Sequence, residues 1–207
     1  MQAMSVTSDN KTWFQRIEDM HPYETLLYLG MFGSGLIFLF LTVAFLFSGL
    51  DQLGGMNKKI PVSFLISTFL LVSSGYTATR IRIYFQEENA EKVIRALGIT
   101  LLLGLLFTGL QITGWKELQS MGIDFQGIPS GSFLYVLSGI HVFHLLGAMI
   151  FALILWAQLR NRKNDEVKRL ILFTNPFEKM RLRLFTVYWQ FMDGIWLILF
   201  LLFAVSL

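Results

Sequence analysis

One uncharged stretch decides the fold: GSFLYVLSGIHVFHLLGAMIFALILWAQL, which covers residues 131–159. It contains no Asp, Glu, Lys or Arg, and most of its side chains are apolar. About 20 consecutive apolar residues are enough for an α-helix to cross the hydrocarbon core of a bilayer. The stretch therefore predicts a transmembrane helix.

Four further stretches on either side of it have the same character. Over the whole chain 54% of the residues are apolar and 20 are Phe, a composition that is unusual for a soluble domain. The predicted spans are residues 26–50, 60–82, 93–115, 131–159 and 184–207. The connections are too short to hold a soluble domain, so the fold class predicted is all-α, a polytopic membrane bundle of five transmembrane helices over residues 26–207. Residues 1–25 are polar and lack the apolar core of a signal peptide, so we expect a cytoplasmic lead-in there.

The distribution of basic residues predicts the orientation of the bundle. Of the 17 Lys and Arg residues, only Lys58, Lys59 and Lys116 fall on one side of the five spans, and the other 14 fall on the opposite side. Short cytoplasmic loops carry the excess of Lys and Arg in membrane proteins. The counts predict a cytoplasmic N-terminus and an external C-terminus.

Two histidines, His141 and His144, lie three residues apart in the fourth span and so share one helix face. The chain has no Cys, which excludes thiolate-bound metal centres and iron–sulfur clusters. Haem or copper ligation by the two histidines would need partners on other spans, and the only other histidine is His21. We therefore expect interhelical polar residues here, with a metal or haem role as the alternative.

Other polar side chains inside or at the ends of the spans need a partner or a purpose, because they are costly at membrane depth. Asp193 is either a structural hydrogen-bonding group, with Trp189 or a histidine of the fourth span as its partner, or part of a proton relay. Arg80 and Arg82 end the second span and are candidates to clamp a lipid phosphate. The full set of candidate lipid-binding or interhelical polar residues is Arg80, Arg82, Gln111, His141, His144, Trp189, Gln190 and Asp193.

Small residues recur every four positions along the third span. They are Ala96, Thr100, Gly104 and Thr108. Such a stripe lets another helix approach closely, which matters in lipid because burial of apolar surface is not rewarded there. The stripe predicts a helix-packing face.

Three long stretches, in order, carry a resemblance to a known family. They are ITLLLGLLFTGLQITGWKEL at residues 99–118, GSFLYVLSGIHVFHLLGAMIF at residues 131–151 and YWQFMDGIWLILFLLF at residues 188–203. Together they resemble subunit III of the haem–copper terminal oxidases, the cytochrome c and quinol oxidase family, in a five-helix form that would correspond to the last five helices of its seven-helix members.

The resemblance implies a non-catalytic subunit of a proton-pumping oxidase of the cytochrome c oxidase type. It implies that haem and copper belong to partner subunits and that this chain holds neither, but binds phospholipid and supports the stability and proton uptake of subunit I. Subunit I would be the main contact, with subunit II, further subunits or a respiratory supercomplex as other partners. It implies the bacterial-type cytoplasmic membrane and no nucleic acid. The alternatives are a quinol oxidase subunit III, an accessory protein of nitric oxide reductase, and a small transporter.

Two positions depart from the pattern of that family. Its members often carry a membrane glutamate beside a serine in the span that matches residues 26–50, and here Gly35 follows Ser34. A histidine of the family is Gln190 here, which keeps hydrogen bonding but removes a titratable group.

Overall fold

The structure is a computed structural model that describes residues 21–48, 59–163 and 165–206. These residues form six helices and no strand: α1 Pro22–Phe47, α2 Val62–Gln86, α3 Ala90–Ser120, α4 Pro129–Arg162, α5 Glu166–Thr174 and α6 Pro176–Ser206. All except α5 are long and apolar enough to cross a membrane. The all-α class with five transmembrane helices is therefore confirmed. Most of the predicted lead-in and the ends of two predicted spans, at residues 49–50 and 207, lie outside the described residues.

The helices overlap the predicted spans but several extend beyond them. The last helix begins at Pro176, whereas the predicted span begins at residue 184. Hydropathy indicates which part of the chain lies in the hydrocarbon of the membrane. A helix can continue beyond that part as long as its backbone hydrogen bonds continue. The first turns of α6 carry Glu178, Lys179 and Arg181, which ended the apolar pattern without ending the helix.

A tight turn makes α2 and α3 an antiparallel hairpin. Glu88 takes a left-handed conformation with φ of 53°, and the side chain of Asn89 accepts a hydrogen bond of 3.0 Å from the backbone N–H of Lys92. This N-cap satisfies one of the free donors at the start of α3. The two helices consequently run side by side along their whole length.

Helix α5 lies in the connection between the fourth and fifth spans, where the sequence shows many charged residues and no helix was predicted. Asp165 caps it, because its carboxylate accepts hydrogen bonds from the backbone N–H groups of Val167 at 3.1 Å and Lys168 at 3.2 Å. These bonds and the Lys168 ammonium, 3.1 Å away, hold the pKa of Asp165 below its ordinary value. Nine residues are too few for a helical period to stand out among charged neighbours.

Four of the spanning helices form a ring. In it α2 packs against α3 and α6, and α4 packs against the same two helices, while α1 lies outside the ring against α4 and α6. The interior is aromatic, with Trp189, Trp196 and Phe107 fully buried. The end of the bundle that carries α5 also holds the start of α1, and we call it the α5 end.

The stripe of small residues faces this interior. Ala96, Thr100 and Gly104 are buried and Thr108 is partly buried. The Thr100 hydroxyl lies 2.8 Å from that of Thr77 on α2, and a Cβ added to Gly104 would lie 3.0 Å from Cη2 of Trp189. The small residues therefore make room for a tryptophan ring from α6 as well as for the neighbouring helix.

Candidate functional site

Indole and amide donors tie the helices together inside the ring. From α6, the indole N–H groups of Trp189 and Trp196 each donate 3.0 Å bonds to α2, to the hydroxyls of Ser74 and Thr68 respectively. From α3, the amide of Gln111 donates a 2.9 Å bond to the Ser67 hydroxyl of α2. A hydrogen bond is worth most where lipid or apolar side chains offer no alternative partner. These contacts hold α3 and α6 to the same face of α2.

A second polar cluster lies at the end of the bundle opposite α5. The Thr113 hydroxyl donates a 2.9 Å bond to the Ser63 hydroxyl, which in turn donates to the Glu117 carboxylate. On the other side of α3, the indole N–H of Trp115 donates a 2.9 Å bond to Ser138 of α4. Sequence reasoning did not select these residues, because serine and threonine are common in spans and Glu117 lies beyond the predicted end of the third.

His141 is fully buried among aromatic rings. Its ring centroid lies 5.2 Å from that of Trp196, 5.7 Å from Phe107 and 6.3 Å from Phe38. Neither ring nitrogen has a hydrogen-bonding partner among the described residues. The structure thus differs from the expected interhelical hydrogen bond, and His141 contributes ring packing from α4 toward α1, α3 and α6.

His144 shares Phe38 with His141 but also contacts the backbone of its own helix. Its Nδ1 lies 2.9 Å from the backbone oxygen of Ile140, four residues earlier on the same helix, and its ring packs 5.6 Å from Phe38 of α1. In residues 21–48, 59–163 and 165–206, no three His, Cys, Asp or Glu side chains come together as a metal site would need. The two histidines thus have different surroundings, because His141 packs among aromatic rings and His144 contacts the backbone of its own helix.

Asp193 is buried at the contact between α6 and α2. Its carboxylate lies against the backbone of Gly75, and Oδ1 has no hydrogen-bonding partner in the part of the chain described. The two partners suggested by the sequence are otherwise engaged, since Trp189 donates to Ser74 and the histidines lie among rings. Asp193 therefore packs against α2 at a glycine, where no side chain occupies the space of its carboxylate.

The three remaining candidates lie on the outside of the bundle. The guanidinium of Arg80 binds the Tyr76 hydroxyl of its own helix, with Nε at 3.1 Å. Arg80 lines one surface pocket, beside Tyr76, and Arg82 lines another, of 360 Å³, together with Lys179 and Arg183. Arg80 and Arg82 therefore do not form one clamp. Gln190 is exposed on the outer edge of α6.

An apolar cavity of 630 Å³ opens at the α5 end between α1, α4 and α6. Leu27, Phe151 and Phe185 contribute to its walls, and Arg181 stands at its rim. The Arg181 guanidinium carbon lies 5.9 Å from the centre of the Phe151 ring. An apolar hollow with a cation at its rim has the chemistry to take an acyl chain and a phosphate.

Ion pairs connect three helices at the α5 end of the bundle. The carboxylate of Glu178, a buried residue in the first turn of α6, binds Arg162 of α4 at 2.8 Å and Arg181 at 3.1 Å. Arg183 pairs with Glu24 at the start of α1. The pairs connect α1, α4 and α6, and neither carboxylate was singled out from the sequence.

The fold and the site define a helical membrane protein whose interior polar groups bind helices to one another. A family model described as cytochrome c oxidase subunit III matches residues 23–205. A probable quinol oxidase subunit 3 of Staphylococcus aureus (strain USA300) is 29% identical over 165 residues, which cover 78% of this chain and 77% of that protein. A probable quinol oxidase subunit 3 of Staphylococcus saprophyticus subsp. saprophyticus is 29% identical over 168 residues, with the same two shares. The chain belongs to the cytochrome c oxidase subunit III family.

The match confirms the resemblance found in the sequence. The chain is a subunit III of a haem–copper oxidase, a multi-pass membrane protein, and as such it associates with other oxidase subunits.

Proposed function

We propose that the chain is a non-catalytic subunit that stabilises a proton-pumping oxidase, while haem and copper are held by its partners. The supporting observation is the engagement of the interior donors: Trp189, Trp196 and Gln111 all bond to hydroxyls of α2. Groups that hold helices together in this way build a rigid surface against which a catalytic subunit can be held. Subunit I is the proposed main contact, with subunit II as a further partner.

The orientation belongs to the same proposal. The α5 end carries Arg160, Arg162, Lys163, Lys168 and Arg169 within a short stretch of chain. By the positive-inside rule, this charge supports a cytoplasmic position for the α5 end. The membrane proposed is the bacterial-type inner membrane, as the oxidase family suggests. The C-terminus then lies outside.

Phospholipid is the proposed ligand of the cavity between α1, α4 and α6. Its walls are apolar and Arg181 lies at the depth of the α5 end, where lipid phosphates meet a cytoplasmic surface. Arginine binds phosphate through several N–H groups at once. Bound lipid would fill a hollow that otherwise separates α1 from the ring.

Two electron donors are supported by different comparisons. The description of the family model supports cytochrome c, whereas the names of both relatives support quinol. Oxygen consumption by the purified complex distinguishes them, with reduced cytochrome c in one arm and a quinol in the other. Activity with one donor and not with the other assigns it.

Affinity purification of this chain from its own membranes in mild detergent tests the proposal. We expect it to bring down subunits that show a haem reduced-minus-oxidised spectrum, copper and oxygen consumption. Nitric oxide reduction in place of oxygen consumption would support the accessory-protein alternative. Recovery of the chain alone, with transport activity in liposomes, would support the transporter alternative and overturn the proposal.

A further inference from the structure

An exposed amide lies halfway along the last helix. Gln190 lies six residues beyond the predicted start of the fifth span at residue 184, so at 1.5 Å per residue it is about 9 Å inside the apolar part of α6. Its side chain is exposed and has no hydrogen-bonding partner among the residues that the structure describes. Asp193, three residues further on, places Gln190 on the edge of α6 that borders α2.

Lipid cannot satisfy this side chain. An amide carries two N–H donors and an acceptor oxygen, and acyl chains offer neither donors nor acceptors. A polar group left unpaired in hydrocarbon is costly, so such groups usually face protein. Unlike the long side chains of Arg80 and Arg82 near the end of α2, the shorter amide of Gln190 lies within the apolar part of its helix.

The surface around Gln190 suits a close neighbour. One turn along, Gly194 is exposed, and a Cβ added to it would meet nothing within 4 Å. Across the groove between α2 and α6, Gly75 of α2 has no side chain, and the atoms nearest to the place of a Cβ there belong to Asp193. Small residues at such a surface let a second helix approach until hydrogen bonds and van der Waals contacts form. The rest of this surface is apolar and includes Leu197, which is 39% exposed, and Val72, which is 48% exposed.

The α5 end of the same groove is cationic. Arg82, Lys179 and Arg183 line the 360 Å³ pocket there, and the one carboxylate in its lining, Glu24, already pairs with Arg183. Two positive groups are left without a carboxylate among the described residues. A partner with an acidic residue at this level would complement them.

We propose that the groove between α2 and α6 binds a transmembrane helix of a neighbouring oxidase subunit. That helix presents a hydrogen-bonding side chain opposite Gln190 and a carboxylate near Arg82 and Lys179. This rests on the proposed function, because the neighbour is a subunit of the same complex. A phospholipid headgroup would satisfy the cationic end alone and leave the amide unpaired, so the position of Gln190 inside the predicted span favours a helix.

Photo-crosslinking in the intact complex tests the groove. Benzoylphenylalanine is introduced at position 190 and, as a matched control, at position 105, where Leu105 of α3 is 57% exposed on the helix diagonal to α6 in the ring. We expect position 190 to give a protein adduct with another subunit in at least fivefold higher yield than position 105. Adducts of position 190 with lipid only, in a chain that still co-purifies with haem, would overturn the inference and leave the proposed function standing. Failure of the unsubstituted chain to co-purify with haem would overturn the proposed function.

A substitution pair gives an independent readout. Gln190→Leu removes hydrogen bonding but keeps size and helix propensity, and Gln190→His keeps a donor and an acceptor. We expect the ratio of haem to chain after purification in increasing detergent to fall several-fold for Gln190→Leu and to stay near the wild-type value for Gln190→His. Ile198→Leu, at a 62% exposed position on the same helix, is the control. A wild-type ratio for Gln190→Leu across the detergent series would contradict the proposal.

Discussion

The carboxylate of Asp193 on α6 occupies the space that a side chain at Gly75 on α2 would need. A Cβ added to Gly75 would lie 3.2 Å from Cγ of Asp193 and closer still to Oδ2. The absence of a side chain at Gly75 therefore sets how near the two helices come. The interhelical bonds of Trp189 and Trp196 to α2 are made at this spacing.

Gly75→Ala is expected to destabilise the bundle. Overpacking a well-filled contact costs about 1–3 kcal/mol, because neighbouring atoms must leave their preferred positions. Asp193 is a short side chain and has little freedom to move away. The loss is measured as a lower midpoint of thermal unfolding in detergent.

The double variant Gly75→Ala with Asp193→Ala locates the cause. Removing the carboxylate makes room for the methyl group, so the two changes together should cost less than their sum. Gly109→Ala is the matched control, because a Cβ there meets nothing within 4 Å and alanine favours a helix. If the losses in stability from Gly75→Ala and Asp193→Ala are additive, the added methyl group and the carboxylate do not compete for the same space.

Ser67→Ala and Gln111→Leu should have unequal effects although they remove the same hydrogen bond. Ser67→Ala leaves the buried Gln111 amide without its acceptor, which costs about 1–3 kcal/mol. Gln111→Leu leaves Ser67 still donating to the backbone oxygen of Phe64 at 3.0 Å and removes a buried amide oxygen that has no partner among the described residues. We expect that variant to be close to the wild type in thermal stability. Equal losses from both substitutions would contradict this interpretation.

Glu178→Gln should loosen the α5 end. The carboxylate binds two guanidinium groups, and replacing it with an amide leaves both cations with a weaker partner. Breaking a buried pair costs about 3–5 kcal/mol, and we expect about 1–3 kcal/mol here because Arg162 is partly exposed. Hydrogen exchange at the start of α6 measures it. Glu166→Gln, at an exposed carboxylate, is the control and should leave that exchange unchanged.

Helix α5 should unwind in acid. The folded-state pKa of Asp165 lies below its ordinary value because the carboxylate accepts backbone bonds from Lys168 and Val167. The resulting stabilisation is complete above the ordinary pKa of an aspartate and is lost as pH falls through the lowered one. Hydrogen exchange of the α5 amides should therefore speed up in that acidic range.

Asp165→Ala separates this cap from other acidic groups. The variant should show fast exchange in α5 at neutral pH and little further change on acidification, because the cap is already lost. An acid transition of wild-type size in Asp165→Ala would assign the pH dependence to another group.

The sequence predicted the five transmembrane helices because each contains a long stretch with few charges, which is a property of the chain itself. It did not predict α5, since a nine-residue helix depends on a cap at Asp165 and on packing of Leu172 against the bundle. It also did not predict which polar groups meet. His141 was expected to be an interhelical polar residue, and Asp193 to bond to Trp189 or a histidine or to belong to a proton relay. The neighbours in the structure are aromatic rings for His141 and the backbone at Gly75 for Asp193.

The contrast between Gln111 and Gln190 shows the reason. Both are glutamines within apolar stretches, and nothing in their local sequence separates them. Gln111 is fully buried against Ser67, whereas Gln190 is exposed on the outer edge of α6. Which face of a span is covered depends on how helices pair across long separations, and in a membrane the apolar pattern does not distinguish lipid from protein.

The most direct test of the account is the haem and metal content of this chain after it has been separated from its purified complex. We predict a colourless chain with less than stoichiometric iron and copper, while the remaining subunits keep the haem spectrum. A separated chain that retains stoichiometric haem or metal would contradict the account, and His141 and His144 would then be the first ligands to test by substitution.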